Sequence, residues 1–136
     1  MKIFVAGMNY KTAPVELRER LAVPAGSLRS VSLRLRVLGG LSEVVVLSTC
    51  NRVEIYGVSL FGEKIDPCGI FRLVAPSVRD DLADHVYFHE GDAALRHLLE
   101  VASGMNSMIL GEPEITGQVR QAYETARQNR FAGTVL

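Results

Sequence analysis

The order of strand-like and helix-like runs predicts an α+β fold. It is the ferredoxin-like split βαβ pattern (β-α-β-β-α-β): an antiparallel sheet with helices packed on one face, followed by additional C-terminal helices. Three observations carry this expectation. Short runs rich in β-formers occupy residues 2–7, 43–48, 53–60 and 85–89. Apolar residues at helical spacing lie between the first and second runs, and again between the third and fourth. Two more helical stripes follow the fourth.

The first run, residues 2–7, is short and apolar. Pro24 suits the first turn of a helix. Leu28, Val31, Leu35 and Leu38 then recur at helical spacing until Gly39-Gly40 stops them. The second strand is apolar throughout, which suits a central strand covered on both faces. The third is rich in Val, Ile and Tyr. Asp66-Pro67 reads as an N-cap with a first-turn proline and opens a helix through Ile70, Leu73 and Val74. Gly91-Asp92 opens another, with Leu95, Leu98, Leu99 and Ala102 on one face. Pro113-Glu114 opens the last, with Ile115, Val119, Ala122, Tyr123 and Ala126 as its stripe.

A length of 136 residues is that of one domain, and 48% hydrophobic residues suffice for one core. Fifteen basic and fifteen acidic residues cancel, so the chain is not a general binder of nucleic acid or membrane surfaces. Arg18, Arg20, Arg29, Arg34 and Arg36 cluster in one segment, and we read them as the solvated face of a helix. Cys50 and Cys68 are too few for a disulfide framework and make no CxxC pattern, so no metal site is expected. The N-terminus is too polar after Val5 for a signal peptide, and no stretch is apolar enough to span a membrane. A cytoplasmic protein with reduced thiols is expected.

Cys50 falls in STCNR, between two strands and with no Asn-Gly or Gly pair to make a tight hairpin. One reading is a small, inert buried residue. The other is a nucleophile at the end of a core strand, its thiolate favoured by Arg52, with Thr49 and Asn51 offering oxyanion donors. Cys68, on the first turn of a short helix beside Ile70, reads as packing. His97 lies off both the leucine face and the polar stripe of its helix, flanked by Ala93, Val101 and Gly104. That places it towards a cleft, as a general acid or base. His85 and His89 read as edge or surface residues. Pro113 and Glu114 suit a helix start by themselves. Glu112 and Gln118 add a carboxylate and an amide able to hold the ammonium and carbonyl groups of a small polar ligand.

GMNYKTAPVELRERLA (residues 7–22), STCNRVEIY (48–56) and HLLEVASGMNSMILGEPEITGQVRQAY (97–123) closely resemble the motifs of the glutamyl-tRNA reductase family, in its order and spacing. The family reduces the glutamyl group of glutamyl-tRNA to glutamate-1-semialdehyde, which feeds tetrapyrrole, porphyrin and heme biosynthesis. The resemblance implies that Cys50 attacks the ester carbonyl, releases tRNA and holds a glutamyl thioester, which NADPH reduces. It implies that His97 activates the thiol or protonates the leaving ribose oxygen. Thr49, Asn51 and Arg52 match the substrate-contacting turn, with Arg52 on a substrate carboxylate. Ser107, Glu112, Pro113, Glu114 and Gln118 match the other substrate-contacting positions. It also implies glutamate-1-semialdehyde aminomutase as a partner and a homodimer formed through another domain.

Two positions depart from the family pattern: Tyr10 where histidine is usual, and Glu114 where glutamine is usual. The second adds a carboxylate that would strengthen ammonium binding or weaken binding of an acidic substrate. No GxGxxG-type loop follows a strand. The expectation is therefore an excised N-terminal catalytic domain over residues 1–136, without the nicotinamide-binding and dimerisation domains, and unable to reduce substrate alone. The alternatives are a slow esterase when no hydride donor is present, and a non-catalytic module binding tRNA or a protein.

Overall fold

A computed structural model describes residues 2–59, 64–104, 113–133 and 136. The elements run β1 (Ile3–Asn9), α1 (Val15–Leu21), a 3-10 turn (Ala25–Ser27), α2 (Leu28–Leu38), β2 (Leu41–Ser48), β3 (Arg52–Ser59), α3 (Pro67–Val74), β4 (Tyr87–Glu90), α4 (Asp92–Ala102) and α5 (Pro113–Gln128). The sheet order is β2-β3-β1-β4 and each neighbouring pair is antiparallel, which is the split βαβ arrangement expected.

Strand alternation divides the core in two. Phe4, Ala6, Met8, Val44, Val46, Val53 and Ile55 face α1, α2 and α3, where Leu17, Leu21, Leu35 and Phe71 meet them. Val5, Val45, Leu47 and Tyr56 point the other way and are covered by Ala94 and Val101 of α4 and by Ile115 and Ala126 of α5. Helices thus cover both faces rather than one: the added C-terminal helices take the face that a bare split βαβ leaves open.

Three expectations change. First, β2 is an edge strand, not a central one. Its apolar run reports two covered faces and says nothing of its place in the sheet. Its free edge is met by the segment after α5: the Val44 N–H donates to the Phe131 carbonyl at 2.7 Å. The Glu43 carboxylate accepts from the backbone N–H groups of Gly133 and Leu136, so the edge is shielded from other chains. Second, α1 appears where no helix was expected. It is seven residues long with Pro14 at its N-cap, and it buries Leu17, Arg18 and Leu21. Third, the leucine face of α4 is not the core face. Leu95 and Leu99 are exposed, while Ala94, His97 and Val101 are buried. Small side chains let this helix lie close to the sheet, Leu98 is half-buried at its flank, and Leu95 and Leu99 are left outside.

The caps follow the sequence more closely. The Asp66 carboxylate accepts from the Cys68 N–H, with Pro67 in the first turn of α3. A single residue, Gly91 at φ 60°, joins β4 to α4, a backbone state that favours glycine. It folds α4 straight back over the sheet.

Gly57 pairs with Phe4 across β1 and β3. A Cβ there would stand 2.7 Å from the Phe4 ring and 3.3 Å from Leu41, whereas one on Gly26 would meet nothing within 4 Å. Gly57→Ala is therefore expected to destabilise the fold by about 1–3 kcal/mol through overpacking, and Gly26→Ala to be neutral or slightly stabilising. Denaturant midpoints of the two variants check this, and equal midpoints would contradict it.

Candidate active site

The carboxyl ends of β1 and β2 and the amino ends of β3 and β4 meet at one end of the sheet. The turn between β2 and β3 is held by its own side chains. Thr49 Oγ1 accepts from the N–H groups of Asn51 and Arg52, both at 3.2 Å. The Thr49 N–H donates to the Arg52 carbonyl at 2.8 Å. Turn chemistry therefore accounts for Thr49, whose hydroxyl caps the backbone N–H groups of the turn. Ser48 Oγ accepts from the Val23 N–H at 3.0 Å. Arg18 reaches across from α1: its Nε donates to the Ala13 carbonyl, and its Nη1 to the Cys50 carbonyl at 2.5 Å. Cys50 itself is exposed.

The turn after β1 stands beside this one, since Asn9 pairs with Arg52. Asn9 Oδ1 accepts from the N–H groups of Lys11 and Thr12, and Thr12 Oγ1 accepts from the Asn9 N–H. These bonds account for Asn9 and Thr12 in NYKT. The departure at Tyr10 falls on the half-buried part of the turn, with the Lys11 ammonium 5.7 Å from its ring centre.

Beneath the turn lies a buried polar network. Arg52, Glu54 and Tyr56 alternate along β3 and so share the face covered by α4. Glu54 is 0% exposed and Arg52 1%. Glu54 Oε1 accepts from the Tyr56 hydroxyl at 2.9 Å, and Oε2 from the Tyr87 hydroxyl at 2.5 Å. His97 Nε2 bonds to the same Oε2, and Arg52 Nη1 lies 3.6 Å from it. Gly7 makes this possible. It pairs with Glu54 on one side and with Tyr87 on the other, and a Cβ would sit 2.6–2.7 Å from the Tyr87 ring and hydroxyl. The bare glycine lets the Tyr87 ring cross β1 to the carboxylate. His89 completes the group, its ring 5.0 Å from His97.

Charges follow this geometry. Burial alone would push the Glu54 carboxyl up. The His97 hydrogen bond, then Tyr87 and Arg52, outweigh it and hold the group below its ordinary value. The Tyr56 and Tyr87 hydroxyls are pushed up, by burial first and then by Glu54, and so remain proton donors. His89 is pushed down, by burial and then by His97.

The structure treats the expected site residues differently. Thr49, Cys50, Asn51 and Arg52 are brought together, but the Arg52 guanidinium is turned inward to Glu54 rather than outward to the thiol. Arg18, read as solvated, is the buried arginine that grips the Cys50 backbone. His97 is 7% exposed and tied to the turn through Glu54 and Arg52, not left facing an open cleft. Gln118 is exposed on α5 and lines a groove of about 190 Å³ with Val23, Val46, Ser48 and Gln121. Pro113 and Glu114 open α5 as expected. Ser107 and Glu112 lie outside the described residues. Glu54 and Tyr87 escaped the sequence reading, while His89, read as an edge or surface residue, is half-buried on the edge strand β4. The missed signal is the alternation Arg52-Glu54-Tyr56 opposite apolar Val53 and Ile55, a polar row in a strand with both faces covered. Among the described residues no cluster of His, Cys, Asp or Glu could hold a metal, and no helix is long and apolar enough to cross a membrane.

A family model described as "Glutamyl-tRNAGlu reductase, N-terminal domain" matches residues 6–136. The chain belongs to this family. It is 46% identical over 127 residues to glutamyl-tRNA reductase of Akkermansia muciniphila, covering 93% of this chain and 37% of that one. It is 45% identical over 144 residues to that of Syntrophotalea carbinolica, covering 100% and 31%. The solved glutamyl-tRNA reductase of Methanopyrus kandleri superposes with a TM-score of 0.75 at 30% identity, over 96% of this chain and 29% of that one. The chain thus spans about a third of the length of the relatives it matches.

Two outcomes follow for the site. Cys50 is exposed, while Cys68 is half-buried and its thiol is pushed up by burial and then by Asp66. Alkylation followed by peptide mass mapping is expected to label Cys50 first, and Cys68 leading would contradict the placement. The depressed Glu54 carboxyl fixes a sign: its contribution is complete above the unfolded carboxylate value of about 4.3 and is lost as pH falls through the lower folded value. Urea midpoints should therefore drop as pH falls from about 5 to about 3. Glu54→Gln should flatten that drop.

Proposed function

We propose that this chain is the N-terminal catalytic domain of an NADPH-dependent glutamyl-tRNA reductase and carries its acyl-transfer step. The observation that supports this most is the exposed Cys50 thiol, in a turn fixed by Arg18 and Thr49 above a buried proton-bearing network. Membership of the family supports the glutamyl ester of tRNA as the substrate.

In this reading the Cys50 thiolate attacks the ester carbonyl carbon. A C–S bond forms, the bond to the ribose oxygen breaks, and that oxygen leaves with a proton. His97 gives or takes the proton. Thr49, Asn51 and Arg52 hold the glutamyl group, with Ser107, Glu112, Pro113, Glu114 and Gln118 as the remaining contacts. The product is a glutamyl thioester.

Reduction to glutamate-1-semialdehyde calls for NADPH. The described residues do not fit a nicotinamide dinucleotide. Every strand pair is antiparallel, so there is no crevice at the carboxyl ends of parallel strands, and no glycine-rich strand-to-helix loop is present among them. The hydride step is therefore beyond these side chains. The same reading places the protein in the cytoplasm, in tetrapyrrole biosynthesis. It gives the whole enzyme glutamate-1-semialdehyde aminomutase as partner and a homodimeric state.

Incubation with a small activated α-ester of glutamate, then intact and peptide mass measurement, tests the acyl-transfer step. A glutamyl adduct on Cys50 that is absent from Cys50→Ser is the expected result. A folded chain that gains no adduct from either this ester or glutamyl-tRNA would sink the proposal. Hydrolysis of the adduct to free glutamate without reductant marks the slow esterase outcome of the same chemistry.

A further inference from the structure

We propose that Glu54 is the positioning residue of this site: its carboxylate holds the His97 imidazole with the proton on Nε2, and so makes Nδ1 the nitrogen that exchanges protons with the reaction. The placement stands on the structure alone, while the catalytic consequence rests on the acyl-transfer reading.

An ionised carboxylate has lone pairs and no proton to give. Glu54 is ionised near neutral pH: its carboxyl lies below the ordinary value, despite the burial that works against it, because His97, Tyr87 and Arg52 favour the charged form. Both tyrosine hydroxyls donate to it. His97 Nε2 bonds to the same Oε2, so Nε2 must be the donor in that contact. A neutral imidazole with its proton on Nε2 presents Nδ1 as an acceptor. Among the described residues, Nδ1 carries no hydrogen bond.

The surroundings keep the ring where it is. The charged and titratable groups facing it are Arg52, Glu54 and Tyr56 from β3, and Tyr87 and His89 from β4; Glu100, on its own helix, acts on His89. The rings of Tyr87 and His89 each lie 5.0 Å from that of His97. Turning the ring over would break the Nε2 bond and present Glu54 with a bare nitrogen. A histidine whose one nitrogen is fixed by a carboxylate and whose other nitrogen works is an arrangement of known catalytic use. Here the working nitrogen is assigned to Nδ1.

Long-range ¹⁵N–¹H correlation spectra of the labelled chain at neutral pH test the placement without any variant. A protonated Nε2 and a pyridine-type Nδ1 on His97 are expected, and a pyridine-type Nε2 overturns the proposal. The consequence is tested in the full-length enzyme with glutamyl-tRNA. Glu54→Gln should lower kcat by about 100-fold or more while KM shifts little, as when the carboxylate behind a catalytic histidine is neutralised. Glu54→Asp, which keeps the charge, should recover part of the rate. An unchanged kcat in Glu54→Gln overturns the role; if that variant does not fold, the wild-type spectrum decides. The Cys50 adduct is scored separately, so loss of the acyl-transfer step and loss of the His97 placement are distinguishable.

Discussion

A carboxylate with no exposure to water sits inside a domain of zero net charge, and much of the local architecture answers to it. Transfer of such a group out of water costs several kcal/mol even after relaxation. Tyr56, Tyr87, His97 and Arg52 are what offset that cost. Each then constrains something larger. Tyr87 needs Gly7 bare. His97 needs α4 close to the sheet, hence Ala94 and Val101 on its inner side and Gly91 as a one-residue link. Arg52 must point inward, which leaves the turn above it to be held by other means.

Those other means are hydrogen bonds from outside the sheet. Arg18 links α1 to the Cys50 carbonyl, and Thr49 closes the turn with its own hydroxyl. The site thus has two storeys. The lower one is polar and largely buried, with Glu54 at its centre. The upper one is a short turn whose thiol faces solvent on a backbone fixed at several points. A side chain that is exposed on a pinned backbone can meet a large substrate without the fold having to open.

Most of the fold was legible because apolar spacing is set by which faces are covered, and coverage is what the sheet and helices share. The same fact explains the errors. An apolar run at residues 43–48 marks two covered faces, and both central and covered edge strands satisfy that. On α4 the leucines were the obvious core face, yet the helix packs by its small residues, because a polar network needs close approach more than apolar bulk. Cys50 stood out by its setting, and His97 by belonging to neither obvious stripe. Glu54 did not stand out, since an acidic residue in a strand ordinarily faces water. Its partners Tyr56, Tyr87 and His97 are set by cross-strand register and helix docking, and no local spacing reveals those. Arg18 was hidden in the same way among neighbours of which Arg20, Arg29 and Arg36 are exposed.

Stability alone gives little reason for such a network, because buried ion pairs are often replaced by apolar groups at no loss. A packed cluster of leucines would fill this end of the sheet as well. What leucines would not provide is an imidazole held at a fixed orientation by a carboxylate. The division between the two storeys then has a chemical sense in the acyl-transfer reading. The proton carrier must not drift, so it is buried and held by a carboxylate. The acyl carrier must be reached first by a tRNA-sized ester and afterwards by a hydride donor, so it stands in solvent. Two opposed demands on neighbouring groups are met by a turn that leaves Cys50 in solvent and a strand that directly afterwards carries Arg52 and Glu54 into the interior.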